Sequence, residues 1–297
     1  MTRLMRNVIV SVIFLCAAAI GAGKYSGWFQ ASTEANIAAA STAPAASGVT
    51  VSFIDVGQGD SELIQTPDGN VLIDSGDYNA RDALMKYLKS AGVTGFECVV
   101  ATHPHSDHIS NIWAVLDAYP VKRVIMPDVT DTTETFKKLL TTISQKKTPV
   151  TKAAAGDEFS VGGARFTILA PNSKTYTDMN DYSVVLRMQY GATSFLFTGD
   201  AQTLSEGEML KNGCDLSADV LKVGHHGSAT NSGKTFVKAV SPQIAVISCG
   251  ENNVYGFPKK STLNTLGKSG AKLYRTDLNG TIVVTSDGKA LKAVTSK

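Results

Sequence analysis

The chain has 297 residues, 43% of them hydrophobic and 18% charged, with 28 basic against 26 acidic side chains. A disordered tail, which combines low hydrophobicity with a large net charge, is excluded, and so is a multi-spanning membrane protein, which needs repeated apolar runs of about 18 residues or more. A nearly neutral chain of this length can bury one large core or two small ones and is no polycation that coats nucleic acid, although a local basic strip is compatible with it.

Residues 1–29 read as a signal peptide or a membrane anchor. Arg3 and Arg6 precede an uncharged apolar stretch from Val8 to Ala22 that ends in small residues, the pattern of a secretory segment. An uncleaved anchor extending through Trp28 and Phe29 stays open, and would make the membrane a partner. Residues 30–48 are mostly Ala, Ser and Thr and read as a flexible linker. The protein is therefore expected to be exported, either extracellular or anchored facing outward. The four cysteines, Cys16, Cys98, Cys214 and Cys249, lie far apart and read as small buried side chains rather than a Cys-x-x-Cys pair.

Residues 49–297 form the third segment, a domain of strands bounded by turn residues. Strands are predicted at 49–56, 61–66 and 71–74, the last two separated by Pro67-Asp68-Gly69-Asn70, which predicts an antiparallel meander. Helix 81–91, strand 97–101, helix 110–119, strand 121–126 and helix 132–146 follow in alternation. Further strands are predicted at 159–161, 165–169, 183–189, 194–198, 220–223, 244–248 and 282–285, with helices at 204–211, 234–239 and 263–269. Two such halves predict an α/β fold of four layers, αββα, in which two sheets pack face to face under outer helices.

All five histidines fall in two clusters. The first is His103-Pro104-His105-Ser106-Asp107-His108, directly after the apolar run Cys98-Val99-Val100-Ala101. In an extended loop, side chains two apart point the same way, so His103 and His105 can reach one ion while Asp107 and His108, at the turn into a helix, reach a second. The second cluster is Gly224-His225-His226-Gly227-Ser228, again after a strand. Either histidine could complete a metal site, and His225, nearer the strand, is the preferred ligand.

Asp200 ends the apolar run Phe195-Leu196-Phe197-Thr198-Gly199. A carboxylate there is costly unless paired or bound to metal, which makes it a candidate bridging ligand. Asp55 and Asp60 in DVGQGD and Asp74 in IDSG also stand at strand ends. Asp74 is a candidate to orient a ligand histidine from behind.

These strings, with NDYSVVL, NNVYG and YRTDLNG, resemble the metallo-β-lactamase fold, and more narrowly the ComEC/Rec2-type hydrolase domain of bacterial DNA-uptake proteins. The resemblance runs in order from Val49 to the C-terminus. It implies an αββα sandwich around two divalent metal ions, with His103 and His105 on the first, Asp107 and His108 on the second, Asp200 bridging and His225 completing the set. The residues depart from the family pattern twice. No histidine stands in 178–183, so either Asn180 or Asp181 takes that place or the first metal is weakly held, and Phe257 stands where relatives have the histidine of Gly-His-Pro.

Mixed imidazole and carboxylate ligands suit zinc first, then manganese or iron. The expected activity is metal-dependent hydrolysis of a phosphodiester such as DNA or a nucleotide, through a metal-bridging hydroxide, with Asp107 as the catalytic carboxylate. Ser228, Lys222 and Lys259 are the first candidates to hold the phosphate, with Gly227, Thr230, Ser232, Lys260 and Arg275 beside them. The rival readings are hydrolysis of a carboxylic ester, lactone or β-lactam on the same fold, and a non-catalytic metal-stabilised binding module.

Overall fold

A computed structural model describes residues 48–297. The predicted signal or anchor, the linker up to residue 47 and Cys16 lie outside the described residues. The first half runs β1 (Val49–Phe53), β2 (Glu62–Thr66), β3 (Gly69–Ile73), α1 (Arg81–Ser90), β4 (Cys98–Val100), α2 (Ser106–Ile109), α3 (Ile112–Ala118), β5 (Val124–Met126), α4 (Glu134–Lys146) and β6 (Val150–Lys152). The second half runs β7 (Glu158–Val161), β8 (Ala164–Ala170), β9 (Val185–Tyr190), β10 (Thr193–Phe197), α5 (Thr203–Lys211), β11 (Val220–Lys222), α6 (Lys234–Val240), β12 (Ile244–Ile247), α7 (Lys260–Ser269), β13 (Lys272–Arg275), α8 (Thr276–Asn279), β14 (Ile282–Ser286) and β15 (Leu291–Thr295). Among the described residues, no helix is long and apolar enough to cross a membrane.

The strands form an eight-stranded sheet, β15-β14-β1-β2-β3-β4-β5-β6, and a seven-stranded sheet, β13-β12-β11-β10-β9-β8-β7. The predicted meander is present as antiparallel β1-β2-β3, after which β3 to β6 run parallel. Strand alternation explains the layering. Val71, Ile73, Cys98 and Val100 face Phe166, Leu186, Phe195, Phe197 and Val220 across the sheet interface. Their neighbours Leu72 and Val99 pack instead on Leu84 and Leu88 of α1, Ile112 and Val115 of α3, and Phe136 and Leu139 of α4. On the other outer face, Leu196, Leu221 and Ala245 meet Met209, Phe236, Val237 and Leu266 from α5, α6 and α7. Runs such as Cys98-Val99-Val100 are apolar throughout because both faces of the strand are covered. The four-layer αββα sandwich follows.

The site elements sit at one end of both sheets. Asp74 follows β3, the His103–His108 string follows β4, Asp200 follows β10 and the two adjacent histidines follow β11. Parallel strands deliver their carboxyl ends side by side, and the crevice beyond those ends is where α/β sheets build sites. Asp60 joins them because β2 runs antiparallel, so its start lies beside the end of β3.

Candidate metal centre

Asp74 anchors the first histidine string. Its carboxylate accepts the Thr102 amide at 2.9 Å and the Thr102 hydroxyl at 2.7 Å, and its Oδ2 lies 2.7 Å from His108 Nδ1. Because the Thr102 hydroxyl gives its proton to Asp74, it accepts from His103 Nδ1, 3.0 Å away. Both rings are thereby fixed with Nδ1 as donor and Nε2 turned inward, the arrangement that makes imidazole a good ligand. His105 brings Nδ1 to 3.0 Å from His103 Nε2.

Asp200 lies at the centre. Its Oδ1 is 3.3 Å from His108 Nε2, and its Oδ2 is 3.9, 3.7 and 3.6 Å from the Nε2 atoms of His103, His225 and His226. Its backbone amide is held at 3.0 Å by the Ser183 hydroxyl, which also touches His103 Nδ1 at 3.3 Å. Asp107 Oδ2 is 3.1 Å from His226 Nε2.

His225 and His226 both reach the cluster because both take the left-handed backbone conformation, at φ 43° and φ 52°. Consecutive residues of an extended chain point to opposite sides, whereas this strained pair puts both rings into one crevice. The expectation favoured His225. The geometry gives the better-framed ligand position to His226, which is buried and groups with Asp107 and His108. Its Nδ1 is held 3.0 Å from the Ser248 carbonyl and 3.2 Å from Asp60. His225 is more open, with its Nδ1 3.4 Å from the Thr230 hydroxyl. Gly59 is required here at φ +134°, because a Cβ would stand 2.3 Å from the Asp107 carbonyl.

Electrostatics follow from the crowding. Burial holds His103 well below its usual pKa, with His108 adding to the effect. Burial also works against charge on His108, but Asp200, Asp74 and Asp107 outweigh it and raise its pKa well above normal. For His226 the same contest, won by Asp200 and Asp60, ends at about 10. Burial would raise Asp200 and Asp107, yet the adjacent imidazoles hold both below the usual carboxylate range. Protons on His108 and His226 thus balance the carboxylates, and a cation binding there releases them.

The residues fit divalent cations. Among the described residues, Asn180 Oδ1 is buried without a hydrogen-bond partner, and His108 Nε2 and Asp200 Oδ1 meet only each other, as an ion pair at 3.3 Å. An unpartnered buried oxygen such as that of Asn180 costs about 1–3 kcal/mol. Four overlapping groups of three ligand atoms lie within 4.8 Å of one another, among them His103-His108-Asp200 and Asp107-His108-His226. Asn180 and Asp181, left open by the sequence, separate cleanly. Asn180 lines the crevice with its free oxygen. Asp181 turns away, its Oδ1 accepting the amides of Gln202 at 3.1 Å and Ser205 at 3.3 Å.

Other expected residues are placed elsewhere. Lys222 is 1% exposed and donates to Asp60 at 2.6 Å and to the Val223 carbonyl at 2.9 Å, so it cannot meet a substrate and instead fixes the carboxylate behind His226. Ser228 is buried, its hydroxyl paired with Thr230 and its carbonyl with Thr262. The Ser232 amide is committed to Glu206 and Arg275 to Asp277, so neither is free for a phosphate. Asp55 pairs with Lys297 at 3.0 Å, away from the cluster. Lys259 stays at the rim, donating to the Tyr255 carbonyl at 2.6 Å. The cleft over the cluster has a volume of about 370 Å³ and is lined by Gln58, His105, Asp107, Asp131, Thr133, Asn180, Tyr255 and Phe257 among others. Sequence reasoning missed Tyr255 and Gln58, although both stand inside the quoted strings.

Two sheets feeding histidines and aspartates into one crevice define a class. A family model of the metallo-beta-lactamase superfamily matches residues 54–251, and the chain belongs to that superfamily. The chain is 32% identical over 250 residues to ComE operon protein 3 of Bacillus subtilis, a match covering 78% of this chain and 32% of that protein. It is likewise 32% identical over 234 residues to Competence protein ComA of Neisseria gonorrhoeae, covering 78% and 31%. The ComEC-type resemblance is therefore borne out, although the chain matches only about a third of the length of these curated relatives. Among solved structures, the metallo-beta-lactamase fold protein YhfI from Bacillus subtilis aligns with a TM-score of 0.56 at 14% identity, over 81% of this chain and all of that one, which supports the fold.

Proposed function

We propose that the protein is an exported metal-dependent phosphodiesterase acting on nucleic acid. The observation that carries the hydrolytic reading is the gathering of Asp107, Asn180, Asp200 and His226 at one open cleft, with the Asn180 Oδ1 lacking a hydrogen-bond partner. His103, His105, Asn180 and Asp200 would hold one cation, and Asp107, His108, His226 and Asp200 the other. Such cations supply Lewis acidity toward a phosphoryl oxygen and acidify water at neutral pH. Asp107, whose carboxylate stays ionised and is partly open to the cleft, would accept a hydrogen bond from the nucleophile and orient it. Asp74 and Asp60 keep the His108 and His226 rings in position throughout.

Nucleic acid as substrate is supported by the names of the relatives, which include Recombination protein 2 of Haemophilus influenzae, 29% identical over 239 residues. Export is supported by Arg3, Arg6 and the apolar run to Ala22. The substrate test is a panel with the metal-loaded protein. Turnover of bis-aryl phosphodiester and single-stranded DNA, with a chromogenic lactam untouched, is expected. Lactam turnover with phosphodiesters untouched would overturn the reading. A reporter active only outside the cytoplasm, fused after Lys297, should be active, and cytoplasmic activity of the matching cytoplasmic reporter would refute export.

A further inference from the structure

The segment between β12 and α7 presents an aromatic surface at the mouth of the cleft. Val254 and Tyr255 are 93% and 56% exposed, the only sequence-adjacent pair among the exposed large hydrophobics of the described chain. Tyr255 and Phe257 stack with centroids 5.5 Å apart and planes 17° from parallel. Phe257 then meets His225 edge-on at 5.6 Å and His226 at 6.5 Å. An aromatic path therefore leads from solvent to the two adjacent histidines.

This surface is built, not incidental. The Asn253 side chain donates to the carbonyls of Gly250 at 2.9 Å and Phe257 at 2.8 Å, and accepts the Phe257 amide at 2.9 Å. The Lys259 amide donates to the Gly227 carbonyl at 2.8 Å, tying the segment to the histidine turn. A Cβ at Gly227 would stand 2.5 Å from Pro258, so that close approach needs glycine. Holding apolar rings in water is costly unless something covers them. Lys259 Nζ sits 5.3 Å from the Phe257 ring centroid, placing positive charge beside the apolar face. A planar face and an adjacent cation match two chemistries of a nucleotide, its base face and its phosphate.

We propose that Tyr255 and Phe257 form a stacking platform for an unpaired nucleobase of a single-stranded nucleic acid, holding its nucleotide beside the phosphodiester at the metal cluster. The proposal rests on the phosphodiesterase reading for what happens at the cluster, but the binding it asserts is separable from turnover. A base inside a duplex has both faces covered by its neighbours, so the platform selects single strands or frayed ends. Every base offers a π-face, so it selects little among sequences.

The test is equilibrium binding to the full chain in chelator, measured by fluorescence anisotropy, of a dye-labelled oligothymidylate and an abasic strand with the same number of phosphates. The wild type is expected to bind the base-bearing strand about tenfold more tightly. Tyr255→Trp should keep that preference. Tyr255→Ala and Tyr255→Leu should both abolish it while leaving abasic binding unchanged, the leucine showing that a planar face is needed rather than apolar bulk. Equal binding of the two strands by the wild type, or equal weakening of both strands in Tyr255→Ala, would overturn the proposal. Base preference without phosphodiester turnover would retain the platform and reject only the catalytic reading. Turnover without base preference would do the reverse.

Discussion

Asp74 positions two candidate ligands at once, His108 directly and His103 through Thr102, while Lys222 and Asp60 do the same for His226. The candidate ligands were legible in the sequence because most of them are contiguous, in the His103–His108 string. Their supports were not, because Asp60 and Lys222 stand 162 positions apart and meet only in the folded chain. A lysine next to a metal motif reads as a phosphate contact until its burial is known. Nor could composition decide between His225 and His226, since that depends on two successive positive φ angles. Asn180 yields a direct prediction. Asn180→His replaces an amide oxygen by imidazole, a better ligand for zinc-type ions, and should strengthen metal retention about tenfold in competition with a chromophoric chelator. Asp181→Asn should leave retention unchanged and lower the thermal midpoint, because its carboxylate holds the Gln202 and Ser205 amides. The reverse outcome would mean that the first cation is held by the other residue.

At the scale of elements, α5 holds the segment that follows the histidine turn. Thr203 donates twice to the Thr230 carbonyl, and the Glu206 carboxylate accepts the Ser232 amide at 2.5 Å and the Gly233 amide at 3.1 Å, just before α6. Burial raises the Glu206 pKa from 4.5 to about 7, against those two amides. The folded state therefore holds the proton more tightly than the unfolded chain. The resulting stability is complete below about pH 4 and is lost as the pH rises toward 7, about 3 kcal/mol in all. Between pH 5 and 7.5, Glu206→Gln should lose less stability than the wild type in metal-free urea titrations. Parallel losses in the two proteins would show that Glu206 does not carry the effect. Elements rich in buried apolar residues were predictable within a residue or two, as at α4 and β10. β6, β13 and β15 were missed because each lies at a sheet edge, with exposed lysines in short sequences such as Val-Thr-Lys and Lys-Leu-Tyr-Arg. Edge strands carry too little apolar alternation to register.

At the scale of the whole molecule, neither sheet owns the site. The eight-stranded sheet contributes Asp60, Asp74 and the His103–His108 string, and the seven-stranded sheet contributes Asn180, Asp200 and both adjacent histidines. Cations bound across that junction stabilise the folded chain in proportion to their affinity, by mass action. The same junction leaves the Tyr255–Phe257 surface over the cluster, so the proposed binding and chemistry would share one cleft. The most direct test of the account is a titration of metal-free protein with zinc or manganese, following bound metal by elemental analysis and bis-aryl phosphodiester turnover on the same samples. The account predicts turnover that rises with loading and levels off near two ions per chain, and that Asp200→Ala abolishes together with the bound metal. Turnover that is indifferent to metal, or a chain that takes up none, would contradict it.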